Sequence, residues 1–427
     1  MTADMTAGRH ASQLWSRRNV ALFLCALCLT VGPGIGSRPV LIAGEFLLVL
    51  LLLQWYSSRQ ILRPLAVRRD HYPRTFEDAV VTINLTLRNE SPAAAHLVEI
   101  TDLFPPGAES RLRSLATLLP GHSEATFRYR QPCTRHRGLY ILGPVHLRAC
   151  DPLGFFTQEQ TCDEVSTLTV YPSAVPLPNF DTLGRGTQPN IGEQVVRNLG
   201  RSEEFASIRK YRSGDPPRLI HWPTTARFGE PYVKEFERSI ITEITLLCDM
   251  RLIALSGLGN QTSTEYRIKA AASIATECIR HQHRVRIVAV KEPVEQTPMS
   301  GGHQHLVALL DWLALLKPGG PCSFEEQIEQ VAPTLRAGAT VVLVMSAIHI
   351  DLPRLVNAVR LLRLHRVRVL TAVVNDRTFL KLRWEQDEAY YHAPPLETVR
   401  DALRHEGCTV FTIGRDDDLA ARLGVPA

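Results

Sequence analysis

The chain has 427 residues, 45% of them apolar and 21% charged, with a formal net charge of +5. This composition excludes wholesale disorder, the length suggests about two to four domains, and the charge is too small to mark a nucleic-acid surface. The nine cysteines are scattered and odd in number, unlike the dense framework of a small secreted domain.

Residues 1–18 read as a cytoplasmic tail carrying Arg9, Arg17 and Arg18. Across residues 19–56, two apolar segments, Val20–Val31 and Val40–Tyr56, flank a Gly/Pro-rich connector. With flanks counted, each reaches the roughly 17 to 25 residues a helix needs to cross a bilayer core. A transmembrane helical hairpin is expected. Cys25 and Cys28 form a lone CxxC inside the first segment and read as small apolar helix residues. Glu45 is expected to face the partner helix or reach toward the loop. Arg59, Arg63, Arg68 and Arg69 follow the hairpin, whereas its loop holds only Arg38. That bias implies a two-pass inner (cytoplasmic) membrane protein with its soluble domains facing the cytoplasm. Ser16-Arg17-Arg18-Asn19-Val20 loosely resembles a twin-arginine export signal, but a second apolar span follows directly and no small-x-small cleavage site is clear.

Residues 65–172 alternate apolar and polar side chains over 79–89, 125–130, 145–149 and 165–171. Pro/Gly/Asp turn signals separate these runs, so an antiparallel, immunoglobulin-like β-sandwich is expected. Residues 173–200 are Pro/Gly-rich and read as a linker.

Residues 201–239 form a segment dense in Arg, Asp, Gly and aromatics. Phe205, Ile208 and Tyr211, three apart, suit a helical turn. Gly214-Asp215-Pro216-Pro217 suits a stop followed by a capped start. Residues 231–237 alternate as a strand. One reading pools Arg209, Asp215, Arg218, His221, Arg227 and Lys234 into a polar pocket or docking face, since Arg forks suit carboxylates and phosphates. The other pairs Asp215 with a nearby Arg, buries Trp222 and Phe236, and makes the segment structural.

Residues 240–427 alternate strand and helix, which implies a doubly wound parallel sheet. Strands are expected at 241–249, 285–290, 340–346, 367–374 and 408–413. No GxxxxGK[ST] loop is present, and Gly257-Leu258-Gly259 lacks a third Gly at dinucleotide spacing, so no cofactor is expected. His281/His283 and His303/His305 each lack a third metal ligand.

The run from Glu204 through Arg209, Tyr211, Gly214, Asp215, Arg218 and Trp222 to Arg227 and Lys234 resembles the bacterial membrane proteins called domain of unknown function 58. Arg135–Tyr140 and Asp151–Phe155 resemble that family's β-domain. The chain departs from the pattern at His221, Pro223 and Thr225, where Asp, Lys and Ser are usual. The α/β part resembles a degenerate von Willebrand factor type A domain. There, Asp-x-Ser-x-Ser would hold a metal, but Asp249-Met250-Arg251-Leu252-Ile253 stands instead. A hard Mg²⁺ ion wants oxygens, so no metal is expected at Asp249 and Arg251.

The resemblance implies a non-enzymatic scaffold or adaptor for a MoxR-type AAA+ ATPase in envelope-linked assembly, with a transglutaminase-like membrane protein as a further partner. An enzyme with a polar site around Asp215, His221 and Arg227 is the alternative. An exported adhesin is a third reading, contrary to the Arg distribution.

Overall fold

The computed structural model describes residues 17–62, 64–108, 111–151, 153–177, 180, 204–215, 217–237, 242–259, 261–379 and 393–424, with backbone alone at 60, 61, 150, 204–207 and 235–237. It divides into two compact units, residues 1–171 and 172–427.

Unit one opens with two helices, α1 (Arg17–Ile35) and α2 (Arg38–Ile61). Both are long and apolar enough to cross a membrane. Gly36, at φ +70°, turns the chain between them. The helices approach closely at two glycines. A Cβ on Gly32 would lie 3.0 Å from the Leu41 backbone N, and one on Gly44 would lie 3.0 Å from the Cys28 Cβ. Small residues at such contacts let backbones come together, as in membrane helix pairs. Cys25 is buried there, its thiol donating to the Gly44 carbonyl at 3.6 Å. Glu45, expected to face the partner helix or reach toward the loop, is exposed.

Leu62 and Leu65, at the end of α2 and the start of β1 (Leu65–His71), already belong to the core of the strands that follow. These are β2 (Arg74–Phe76), β3 (Val80–Asn89), β4 (Ala95–Leu103), β5 (Arg111–Leu119), β6 (Glu124–Pro132), β7 (Gly138–Leu142), β8 (Val145–Cys150), β9 (Thr157–Cys162) and β10 (Ser166–Tyr171). They pair as three sheets, β1-β3-β6, β5-β4-β8-β9 and β2-β10-β7. All pairings are antiparallel except β2 beside β10. Alternate residues of β3 are buried, the period-two signature of a half-covered strand. Leu85 and Leu87 of β3 share one apolar core with Val98 and Ile100 of β4 and Val145 and Leu147 of β8. Beside the core, the fully buried Arg69 guanidinium bonds both carboxylate oxygens of Asp102, and the Tyr129 hydroxyl donates to the same carboxylate. Arg69 also donates to the Leu142 carbonyl at 3.2 Å and the Glu164 carbonyl at 2.9 Å. Burial and the Asp102 charge push the Tyr129 hydroxyl far above its ordinary value.

In unit two, after residues 172–177 and 180, the described residues resume with a two-stranded ribbon. Its strands are β11 (Glu204–Lys210) and β12 (Tyr232–Glu237), and a short helix, α3 (Trp222–Phe228), lies between them. The helical turn expected over 205–211 is instead strand β11. Antiparallel pairing with β12, Ile208 opposite Lys234 and Lys210 opposite Tyr232, outweighs the local three-residue spacing.

A six-stranded sheet follows, built from β13 (Glu243–Asp249), β16 (Arg284–Val290), β17 (Glu295–Gln296), β18 (Thr340–Ser346), β19 (Arg368–Val374) and β20 (Thr409–Ile413). A two-residue pair, β14 (Gly257–Leu258) and β15 (Gln261–Thr262), follows β13 in the chain. The sheet order is β17-β16-β13-β18-β19-β20. Read by chain position this is 3-2-1-4-5-6, with β17 alone antiparallel. Every residue of β18 is buried, as a central parallel strand covered on both faces requires. The helices are α4 (Ser263–Arg280), α5 (His303–Leu315), α6 (Phe324–Val331), α7 (Leu352–Leu364), α8 (Leu396–His405) and α9 (Leu419–Gly424). Leu247, Val288, Val341 and Leu343 share a core with Phe324 and Ile328 of α6 and with Leu355 and Val359 of α7. The expected linker lies mostly outside the described residues.

Candidate functional site

The ribbon carries most of the residues singled out in the sequence. Arg209, near the end of β11, makes a two-pronged ion pair with Asp215 at 2.7 and 2.8 Å. The Arg212 backbone N–H donates to the same carboxylate at 2.8 Å. The Arg209 guanidinium, then the Arg212 amide, hold the Asp215 carboxyl down at about 2. Asp215 thus closes the turn from within rather than capping a helix. Gly214 supplies φ +104° there, a conformation that favours glycine.

His221 caps α3: its Nδ1 accepts from the Thr224 backbone N–H at 3.3 Å and lies 2.7 Å from the Thr224 hydroxyl. Gly229, at φ +72°, ends the helix, and its N–H donates to the Thr225 carbonyl at 2.9 Å. The Thr225 hydroxyl then accepts from the Tyr232 N–H at 3.0 Å and ties the helix to β12. So two of the three positions that depart from the family pattern, His221 and Thr225, hold local structure.

Asp215, His221 and Arg227 share no hydrogen bond or ion pair among the described residues. Arg218, Arg227 and Lys234 are exposed, and Tyr211 stands at the margin of the ribbon, also exposed. Trp222, buried in the structural reading of the sequence, is 67% exposed, and Phe228 is 60% exposed. A seven-residue helix cannot cover both faces of an indole at its first position. Phe228 stacks obliquely on Tyr232 at 5.5 Å, with the Arg227 guanidinium 5.7 Å from the Phe228 ring centre. The outcome is an outward patch of aromatic and cationic groups over an internally paired turn. The Phe236 side chain lies outside the described residues.

The second constellation sits at the C-terminal end of β13, where the sheet order reverses between β13 and β18. Crevices of this kind are where open α/β sheets bind ligands. Asp249 is fully buried, and Arg251 folds back onto it through two bonds of 2.9 Å each. Arg251 also donates to the His349 carbonyl at 3.2 Å, and its guanidinium lies 5.7 Å from the Phe324 ring centre. Burial alone would raise the Asp249 carboxyl. The Arg251 hydrogen bonds and the charges of Arg267 and Arg251 outweigh it and hold the group below its ordinary value.

Beyond this pair, Arg267 and Asp376 are both fully buried and 3.8 Å apart. Asp376 accepts from the Ser346 hydroxyl at 2.6 Å and the Ala347 N–H at 3.0 Å, and Arg267 donates to the Ala254 carbonyl and the Thr264 hydroxyl at 2.8 Å each. Burial pushes the Asp376 carboxyl up, against Arg267 and Ser346. Neither Arg267 nor Asp376 stands out in the sequence. Each is one charged residue in an otherwise ordinary helix or loop, and only the fold brings them to the same strand ends. The donor set does not suit a metal. At Asp249 guanidinium nitrogens occupy both carboxylate oxygens, and among the described residues no three His, Cys, Asp or Glu side chains converge.

A model of the family described as "Protein of unknown function DUF58" matches residues 207–382, which takes in the ribbon from Ser207 and the sheet through β19. The uncharacterized protein YeaD of Bacillus subtilis (strain 168) is 24% identical over 237 residues, 55% of this chain and 57% of YeaD. The chain therefore spans a little over half of that relative's length. Among solved structures, the CARDB domain of a Pyrococcus furiosus protein overlaps 25% of this chain and 91% of that domain, at 11% identity and a TM-score of 0.19. The alkylpurine DNA glycosylase AlkC of Pseudomonas fluorescens overlaps 36% of this chain and 46% of its own, at 11% identity and a TM-score of 0.17. Neither overlap is enough to assign a fold. The match over residues 207–382 and the Bacillus relative together support the DUF58 family for this chain.

Proposed function

We propose that this chain is a non-enzymatic adaptor anchored in the cytoplasmic membrane by a two-pass hairpin, with its soluble domains in the cytoplasm. In this reading the β-domain is an immunoglobulin-like sandwich. The α/β domain is a von Willebrand factor type A-like fold, its 3-2-1-4-5-6 order kept and its metal position filled by Arg251. The partner is a MoxR-type AAA+ ATPase acting in envelope-linked assembly, with a transglutaminase-like membrane protein as a further member.

One observation carries the reading. The two acids singled out in the sequence are bonded to nearby arginines, Asp215 to Arg209 and Asp249 to Arg251. What the ribbon offers outward is Trp222, Phe228 and Arg227, the residue types that anchor protein interfaces. The enzyme alternative needs Asp215, His221 and Arg227 to converge, but Asp215 is bonded to Arg209 and His221 to Thr224.

The test is capture of the ATPase by the full chain in detergent, with and without ATP. Nucleotide-sensitive capture lost with Arg227→Ala is the expected result. Absence of capture in every nucleotide state defeats the adaptor reading.

A further inference from the structure

At the opposite end of the parallel sheet from Asp249, the starts of β13 and β16 and the turn after α6 enclose a cleft of about 210 Å³. Glu243, Arg284, Arg286 and Arg336 line it, with Thr245 and Thr334. A single oxygen of Glu243 accepts from both Arg284 and Arg336, at 3.0 Å each. Arg286 is half-buried, and among the described residues its bonds run to the hydroxyls of Thr245 at 3.4 Å and Thr334 at 3.2 Å, not to a carboxylate. Burial pulls its pKa down, against the attraction of Glu243. A guanidinium nevertheless stays charged in proteins. Three arginines against one glutamate leave the residues lining the cleft with a net charge of +2.

We propose that this cleft is an oxyanion site that takes a phosphate dianion, free or as the monoester of a larger ligand. A dianion cancels the charge that Glu243 leaves, whereas one carboxylate would leave +1 behind. Planar guanidinium forks present paired N–H donors that match phosphate oxygens. The two hydroxyls hold Arg286 at the floor. Arg336, 79% exposed, stands at the mouth, where a ligand can reach it without opening the core. The site is independent of the ribbon and of the adaptor reading.

The experiment is calorimetric titration of the full chain, in a phosphate-free detergent at constant ionic strength, with inorganic phosphate. Glycerol phosphate and succinate are titrated in parallel. One saturable phosphate site per chain is expected, weakened roughly tenfold to a hundredfold by Arg286→Gln. Arg422→Gln, a distant exposed arginine, should leave it unchanged. Should Arg286→Gln melt early, Arg336→Gln alters only an exposed side chain and should weaken binding in the same direction. Glycerol phosphate binding as well as phosphate assigns the site to a monoester, and phosphate binding alone assigns it to the free ion. Non-saturable heats, equal affinity in the variants, or succinate binding as tightly as phosphate overturns the proposal.

Discussion

Arg251 closes a two-pronged pair on Asp249, two residues before it in the chain, with both groups buried at the end of the central strand. A guanidinium thus stands against the carboxylate that ends the first strand. Removing one member leaves the other charged and without water. Arg251→Ala should therefore cost about 3–5 kcal/mol of unfolding free energy. Arg251→Lys keeps the charge but not the fork, and should cost less. Urea denaturation of the detergent-solubilised chain reads both, and an Arg251→Ala midpoint equal to wild type would contradict the burial of the pair.

Arg69 plays a comparable part in unit one, joining Asp102, the Leu142 carbonyl and the Glu164 carbonyl across three strands and a turn. Arg69→Met should likewise destabilise that unit by about 3–5 kcal/mol, because Asp102 and the Tyr129 hydroxyl stay buried without the cation. Proteolysis of the strand region, followed by mass spectrometry, would locate the loosening to residues 65–171.

Trp222 and Phe228 give the clearest separation of docking from folding. Both are more than half exposed, so Trp222→Ala and Phe228→Ala should leave the melting temperature nearly unchanged. As interface anchors they should each weaken partner capture by about 2 kcal/mol or more. A large drop in melting temperature with capture intact would reverse their roles.

Asp215 titrates at about 2 when folded, below the ordinary carboxylate value of about 3.9. A lowered folded value contributes stability that is complete above the unfolded value and lost as pH falls through the folded one. The contribution of the Asp215–Arg209 pair to local order should be complete at pH 5 and above, decline below about pH 4, and be gone near pH 2. A carboxyl-detected NMR titration of Asp215 would follow it, and an ordinary value there would mean that Arg209 is not bonded in solution.

The parallel sheet was largely legible in the sequence. Its strands are short apolar runs bounded by helices with clear periodicity, and the expected positions agree with β13, β16, β18, β19 and β20 to within a few residues. The edge strand β17 is only two residues long and carries no pattern. In unit one the alternating runs gave β3, β6, β8 and β10. Strands β4 and β5 were missed because Ala95–Leu103 and Arg111–Leu119 alternate imperfectly, with consecutive exposed residues in each. The ribbon misled for a different reason. Phe205, Ile208 and Tyr211 mimic a helical stripe, and the pairing of β11 with residues 232–237 is a contact across more than twenty residues that no local pattern reports. The buried Arg267 and Asp376 were invisible for the same cause, since 109 positions separate them along the chain.

Leu62 closes α2 inside the core of the strands, and β1 begins three residues later. Helix α2 is 24 residues long, about 36 Å along its axis, which exceeds a hydrocarbon core of about 30 Å. If it spans a bilayer, no slack tether separates the lipid from the first soluble unit. Leu62 shares the core of the strands, so tilt or rotation of the hairpin is carried into them through that packing.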